Sequence, residues 1–240
     1  MKEDRDPLFF EPGDGGSALA LANRAIPLIR RYWAGVEEVH VDPESLERLR
    51  DTVSRPTIVC PNHPTLAEPS TLFDVLSGRG FRTYYLSDRE VLRTFGPARF
   101  LLARAGAYTV RRGTVDRESI NCTRQLLLRG ATVAMYPEGE TYGLNDTLIN
   151  FLEGVAQLGF WGVGDRREAG LDPDVRLLPL AVKYYYGRDM EPVVEERLSW
   201  LEEQLGLRPA ADATRRERLR AVAHRRLCLV EERSEEHTSE

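Results

Sequence analysis

Two hydrophobic periodicities alternate along the chain. Short runs rich in β-branched and aromatic residues read as strands at Val36 to Val41, Thr57 to Cys60, Arg82 to Leu86, Ala107 to Arg111, Thr132 to Tyr136 and Leu177 to Tyr184. Between and after them, apolar positions spaced three and four apart predict helices over Ser70 to Ser77, Val115 to Leu128, Thr147 to Leu158, Val193 to Leu205 and Arg215 to Val230. Strands separated by helices predict an α/β fold: a single layered domain with a largely parallel mixed sheet flanked by helices. Residues 36–232 are expected to form that domain, since no internal repeat and no linker divides them.

Ahead of this domain, residues 1–16 predict a flexible N-terminal lead-in that ends in Pro12-Gly13-Asp14-Gly15-Gly16. Ser17 can then cap an amphipathic helix, residues 17–35, running through Leu19, Leu21, Ile26, Ile29 and Trp33 with a kink at Pro27. An apolar face bordered by Arg24, Arg30 and Arg31 suits an anionic membrane surface, and it equally suits packing against the chain's own core.

Composition narrows the function classes. With 42% hydrophobic and 30% charged residues the chain is globular in character. No run approaches the roughly 20 apolar residues of a membrane span. The charged N-terminus carries no signal-peptide pattern, so a cytoplasmic location is expected. Cys60, Cys122 and Cys228 are odd in number and lack metal-site spacing, which fits reduced thiols. His40 and His224 likewise show no ligand spacing with the cysteines, so neither a metal nor a bound cofactor is expected. Residues 233–240 (RSEEHTSE) resemble the translation of a sequencing adapter; removing their one Arg and three Glu moves the formal charge from −5 to −3. That mild acidity argues against nucleic acid as a partner.

The segment most informative about chemistry is Ile58-Val59-Cys60-Pro61-Asn62-His63-Pro64-Thr65-Leu66-Ala67-Glu68-Pro69. An apolar strand runs into a turn that carries a histidine, and five residues later a carboxylate stands at a helix start. His63 and Glu68 each precede a proline and are thereby biased away from helical geometry, so the turn can fold the carboxylate onto the imidazole. Such a base with an orienting partner can take a proton from a hydroxyl. A capping box between Thr65 and Glu68 is the competing structural explanation, weakened by Pro69.

These residues resemble the first motif, N-H-x4-D, of the glycerolipid acyltransferases, the lysophosphatidic acid acyltransferases and their relatives. The resemblance continues in order along the chain. Gly106-Ala107-Tyr108-Thr109-Val110-Arg111-Arg112-Gly113 is similar to the second motif, and Tyr136-Pro137-Glu138-Gly139 to the third. Phe151 to Ala156 resembles the helix start that follows, and Leu178-Pro179-Leu180-Ala181 the fourth motif.

The resemblance implies that His63 is the general base and Glu68 its partner. It implies that Arg112, with Arg111, binds an anionic group of the acceptor, and that Glu138, Gly139 and Glu140 shape the acceptor site. Pro179 would shape a strand edge near the acyl pocket. An acyl thioester, on coenzyme A or an acyl carrier protein, would be the donor and a lipid hydroxyl at the cytoplasmic membrane face the acceptor. Two departures stand out. Glu68 replaces the usual Asp, and the usual Glu-Gly-Thr-Arg reads Glu138-Gly139-Glu140-Thr141. The altered third motif leaves a non-catalytic lipid-binding homologue as the alternative, with a thioesterase or lipid hydrolase as a second. The latter lacks a Gly-x-Ser-x-Gly signature here.

Overall fold

The computed structural model describes residues 9–238, without the side chains of residues 233–238, so residues 1–8 of the lead-in and the adapter-like segment are not described further. In chain order the elements are α1 (Gly16–Leu28) with a π-helical turn (Ile29–Trp33), α2 (Pro43–Val53), β1 (Thr57–Pro61), α3 (Glu68–Leu76) and β2 (Thr83–Asp88). There follow α4 (Arg89–Thr94), α5 (Ala98–Ala105), β3 (Ala107–Val110), α6 (Arg117–Leu128), β4 (Thr132–Ala134), α7 (Gly154–Glu168), β5 (Arg176–Leu180), α8 (Glu191–Gln204) and α9 (Arg215–Thr238).

The described strands form one five-stranded sheet in the order β3-β2-β4-β1-β5, and every pairing is parallel. Side-chain alternation assigns its two faces. Ile58 of β1 pairs with Val133 of β4 and joins Tyr108, Leu126, Leu127 and Met135 on one side. Val59 pairs with Ala134 and joins Leu49, Leu72, Val75 and Leu76 on the other. Ile58, Val59 and Val133 are completely buried. Burial on both faces explains why these strands read as continuous apolar runs rather than alternating ones.

The region expected as one domain, 36–232, falls into two compact units that divide between Tyr184 and Tyr185. The first holds the whole sheet. The second contains α8 and α9, linked by Arg215 to Glu191 and Glu195 and by Arg218 to Glu195 and Glu202.

Several local expectations are corrected. Val36 to Val41 is not a strand; Val39 and Val41 pack one-sidedly against the Leu49 cluster without pairing. The helix placed at Thr147 to Leu158 begins only at Gly154 and continues to Glu168. Its glycines allow close approach: a Cβ on Gly162 would meet Leu127 at 3.0 Å. Helix α1 starts at Gly16 with Gly15 as its cap, so Ser17 lies inside the first turn. Residues 9–15, part of the expected flexible lead-in, are tied down: Phe10 N donates to Thr109 Oγ1 (3.1 Å), Gly13 N to Ala103 O (2.8 Å), and Arg82 Nη2 to Gly13 O (2.6 Å).

Helix α1 and the π-helical turn after it are buried on one side and leave apolar side chains exposed on the other. Ala18 and Ile26 are buried, while Leu21, Leu28, Ile29, Tyr32 and Trp33 remain exposed. Arg30 is not a surface arginine; it donates to Val36 O (2.6 Å) and pairs with Asp74 (3.0 Å). Among the described residues no helix is long and apolar enough to cross a membrane.

Candidate active site

In a parallel sheet all strands present their carboxyl ends to one edge, and loops leaving that edge converge there. His63 lies just beyond β1, Tyr136 and Glu138 beyond β4, Arg111 and Arg112 beyond β3, and Asp88 ends β2. Because β4 lies between β1 and β2, segments distant in sequence become neighbours.

Asn62 fixes the base of the His63 turn. Its side-chain amide donates to Val182 O (2.9 Å) and its carbonyl accepts from Val182 N (2.6 Å), imitating a strand pair after β5 has left the sheet. Asn145 clamps Tyr184 in the same manner (2.9 and 2.8 Å). Together the two amides hold residues 181–184, which the sequence pattern assigns to a longer strand. Pro179 sits on edge strand β5 opposite Cys60, where its missing N–H costs no ladder bond.

His63 and Glu68 meet as the sequence indicates: Nδ1 lies 2.8 Å from Glu68 Oε2. The same carboxylate accepts from Thr65 N (2.9 Å) and Thr65 Oγ1 (2.8 Å). The capping box itself does not form: α3 begins at Glu68 with Ala67 as its N-cap and no side-chain cap bond, so the fully buried carboxylate instead joins Thr65 to His63 within the turn ahead of the helix. Its place in the first turn of α3 sets the negative charge against the positive end of the helix dipole. An ionised carboxylate only accepts, so Nδ1 carries the proton and Nε2 keeps its lone pair. The imidazole retains 15% of its side-chain surface, enough to meet a substrate at one edge.

Two contacts absent from the sequence reading complete the support. The His63 ring stacks on Tyr136, with centroids 4.0 Å apart and planes 18° from parallel. The main-chain N–H of His63 donates to Glu138 Oε1 (3.0 Å), and Glu138 is buried. Glu138 thus faces the main chain of His63. Burial, and after it the charge of Glu68, pushes the phenols of Tyr136 and Tyr184 far above their ordinary range, so both stay protonated.

Gly139, Glu140 and Arg112 form a second group. Arg112 Nη2 lies 2.5 Å from Gly139 O and 2.7 Å from Glu140 Oε1, while its Nε lies 3.6 Å from Asp88 Oδ2. Glu140 is thus an ion-pair partner of Arg112. Gly139 adopts φ +71° and a Cβ there would meet Leu152 Cδ1 at 2.5 Å. Thr141 Oγ1 reaches Thr65 O at 3.5 Å. Arg111 is exposed, and its main-chain N–H donates to Asp116 Oδ2 (2.7 Å). Cys60 packs behind the turn, and burial pushes its thiol up to about 11. Among the described residues no group of His, Cys, Asp and Glu side chains is arranged to hold a metal ion.

Comparison with known proteins gives one family match. The model of the family described as Acyltransferase matches residues 39–181. A similar solved structure is the 1-acyl-sn-glycerophosphate (LPA) acyltransferase PlsC from Thermotoga maritima, at 13% identity and a TM-score of 0.35, covering 80% of this chain and 97% of that one. No curated protein matches significantly.

Proposed function

The chain belongs to the Acyltransferase family, and from that premise we propose that it moves a fatty acyl group from a thioester, on coenzyme A or an acyl carrier protein, to a lipid hydroxyl. The observation that carries this reading is the 2.8 Å contact of His63 Nδ1 with buried Glu68, which leaves Nε2 as a base at the surface of the site.

In this mechanism Nε2 takes the hydroxyl proton as the acceptor oxygen attacks the thioester carbonyl. The tetrahedral intermediate collapses, the C–S bond breaks, and the proton passes from His63 to the departing thiolate. Glu68 stabilises the imidazolium and stays ionised throughout. Transfer is direct, with no acyl-enzyme. The thiol of Cys60, pushed up by burial, is almost wholly protonated near neutral pH and is a poor nucleophile.

A lipid acceptor requires access to a membrane, and the exposed Leu21, Leu28, Ile29, Tyr32 and Trp33 supply an apolar surface for reversible docking at a cytoplasmic membrane face. Since α1 also contributes buried residues, its deletion would unfold more than it informs. Tyr32→Ser with Trp33→Ser should weaken sedimentation with anionic vesicles while the melting temperature holds; unchanged sedimentation would point to another surface.

The enzymatic test uses one labelled acyl thioester and a panel of hydroxyl lipids, scored for acylated lipid and free thiol. Thiol release that depends on the acceptor is expected. His63→Ala should lower turnover by roughly 10²-fold or more with the fold retained. Normal turnover in a folded His63→Ala protein would remove His63 from the chemistry, and thiol release without acceptor would mark a thioesterase.

A further inference from the structure

Building on that acyltransferase reading, we propose that the preferred acceptor is a hydroxyl lipid whose head carries no phosphate monoester, and that the Arg112–Glu140 pair enforces the choice. Arg112 approaches the base's loop as its fixed cation, yet its guanidinium is already engaged by Glu140 Oε1 (2.7 Å) and Gly139 O (2.5 Å), with Asp88 Oδ2 at 3.6 Å. Two carboxylates and a carbonyl surround one positive charge.

A phosphate monoester carries close to two negative charges near neutral pH. To use the Arg112 fork it must displace Glu140 and then lie beside Asp88. Water reaches the pair, since the side chains of Arg112 and Glu140 are 44% and 55% exposed, so the pair contributes little to folding. Selection is a different matter, because the competing anion is supplied within the chain at high effective concentration. Gly139 O is also fixed. It belongs to a turn closed by Gly139 N to Tyr136 O (3.1 Å) and pinned by Leu152 N to Pro137 O (2.7 Å).

The same turn carries Glu138, whose carboxylate holds the His63 N–H at 3.0 Å. An anion that pulled Arg112 away from Gly139 would therefore disturb the segment that supports the base. An uncharged or zwitterionic head leaves the arrangement as it stands.

The test is competition between lysophosphatidic acid, monoacylglycerol and lysophosphatidylcholine for one labelled thioester, with wild type and Glu140→Gln. Wild type should favour the two acceptors without a phosphate monoester by about tenfold or more in kcat/KM, and Glu140→Gln should shift the ratio toward lysophosphatidic acid by about tenfold. A binding measurement independent of turnover uses glycerol 3-phosphate. Saturable binding should be absent from wild type at millimolar concentration and present in Glu140→Gln. Preference of wild type for lysophosphatidic acid, a ratio unmoved by Glu140→Gln, or saturable glycerol 3-phosphate binding to wild type would each overturn the inference. If no lipid in the panel is acylated while glycerol 3-phosphate still binds only the variant, the charge arrangement survives and the acyltransferase reading fails.

Discussion

The imidazole of His63 lies flat against the ring of Tyr136, 4.0 Å away and 18° from parallel, while the buried hydroxyl of Tyr136 has no hydrogen-bond partner among the described residues. The ring and the hydroxyl therefore make separable contributions. Tyr136→Phe removes only an unsatisfied polar atom, whose burial costs about 1 to 3 kcal/mol, so it should keep activity and leave the melting temperature equal or higher. Tyr136→Leu removes the flat support and should lower kcat by about tenfold. A loss of activity in Tyr136→Phe equal to that in Tyr136→Leu would mean that the hydroxyl, not the ring face, is what His63 needs.

Glu68 separates charge from shape. Glu68→Asp keeps the carboxylate and should retain more activity than Glu68→Gln. In the glutamine variant an amide N–H can face Nδ1, which favours the tautomer with the proton on Nε2, where the base needs its lone pair. A drop in kcat of about 10²-fold or more is expected for Glu68→Gln. Equal losses in the two variants would assign Glu68 to holding the Thr65 turn alone.

Gly139 tests the turn. At φ +71° a Cβ is strained by about 1 to 2 kcal/mol, so Gly139→Ala should lower stability by that amount in denaturant titration. Its 2.5 Å contact is with the tip of Leu152, an exposed and movable side chain. Leu152→Ala should therefore rescue little. Full rescue would show that crowding, rather than backbone conformation, selects glycine here.

Cys60 provides a pH test. Its thiol stands at about 11 in the fold against an ordinary value of 9.0, through burial. Below pH 9 both folded and unfolded states keep the proton, and above it the unfolded state ionises first, so this group withdraws stability as pH rises from 9 toward 11. Alkylation of Cys60 by iodoacetamide should be slow at pH 7.5, and Cys60→Ala should retain turnover. Inactivation of Cys60→Ala in a folded state would reopen the acyl-enzyme route.

Much of the fold is legible in the sequence because β1 and β4 are covered on both faces and read as short apolar runs, and β2 and β3 are rich in aromatic and β-branched residues. Helix α2 carries equally local signals, with the Asp42 side chain accepting from Ser45 N at 2.8 Å and Pro43 in the first turn. The His63–Glu68 pair is legible because five residues and two prolines confine it. Tyr136 against His63, Glu138 on the His63 N–H, and Glu140 on Arg112 are not. Each depends on β4 entering the sheet beside β1 and β2, and no local pattern encodes that neighbour.

The placement of β4 also bears on how the protein comes to be folded. Three residues, Thr132 to Ala134, are all that join β1 on one side to β2 on the other. Until they are synthesised and inserted, β1 and β2 each present an open edge, and a growing chain holds the sheet as two unconnected parts. Such long-range parallel pairing closes slowly, after the entropy of the intervening loops has been lost. The sheet should then become continuous late and abruptly, with the arrival of its shortest strand.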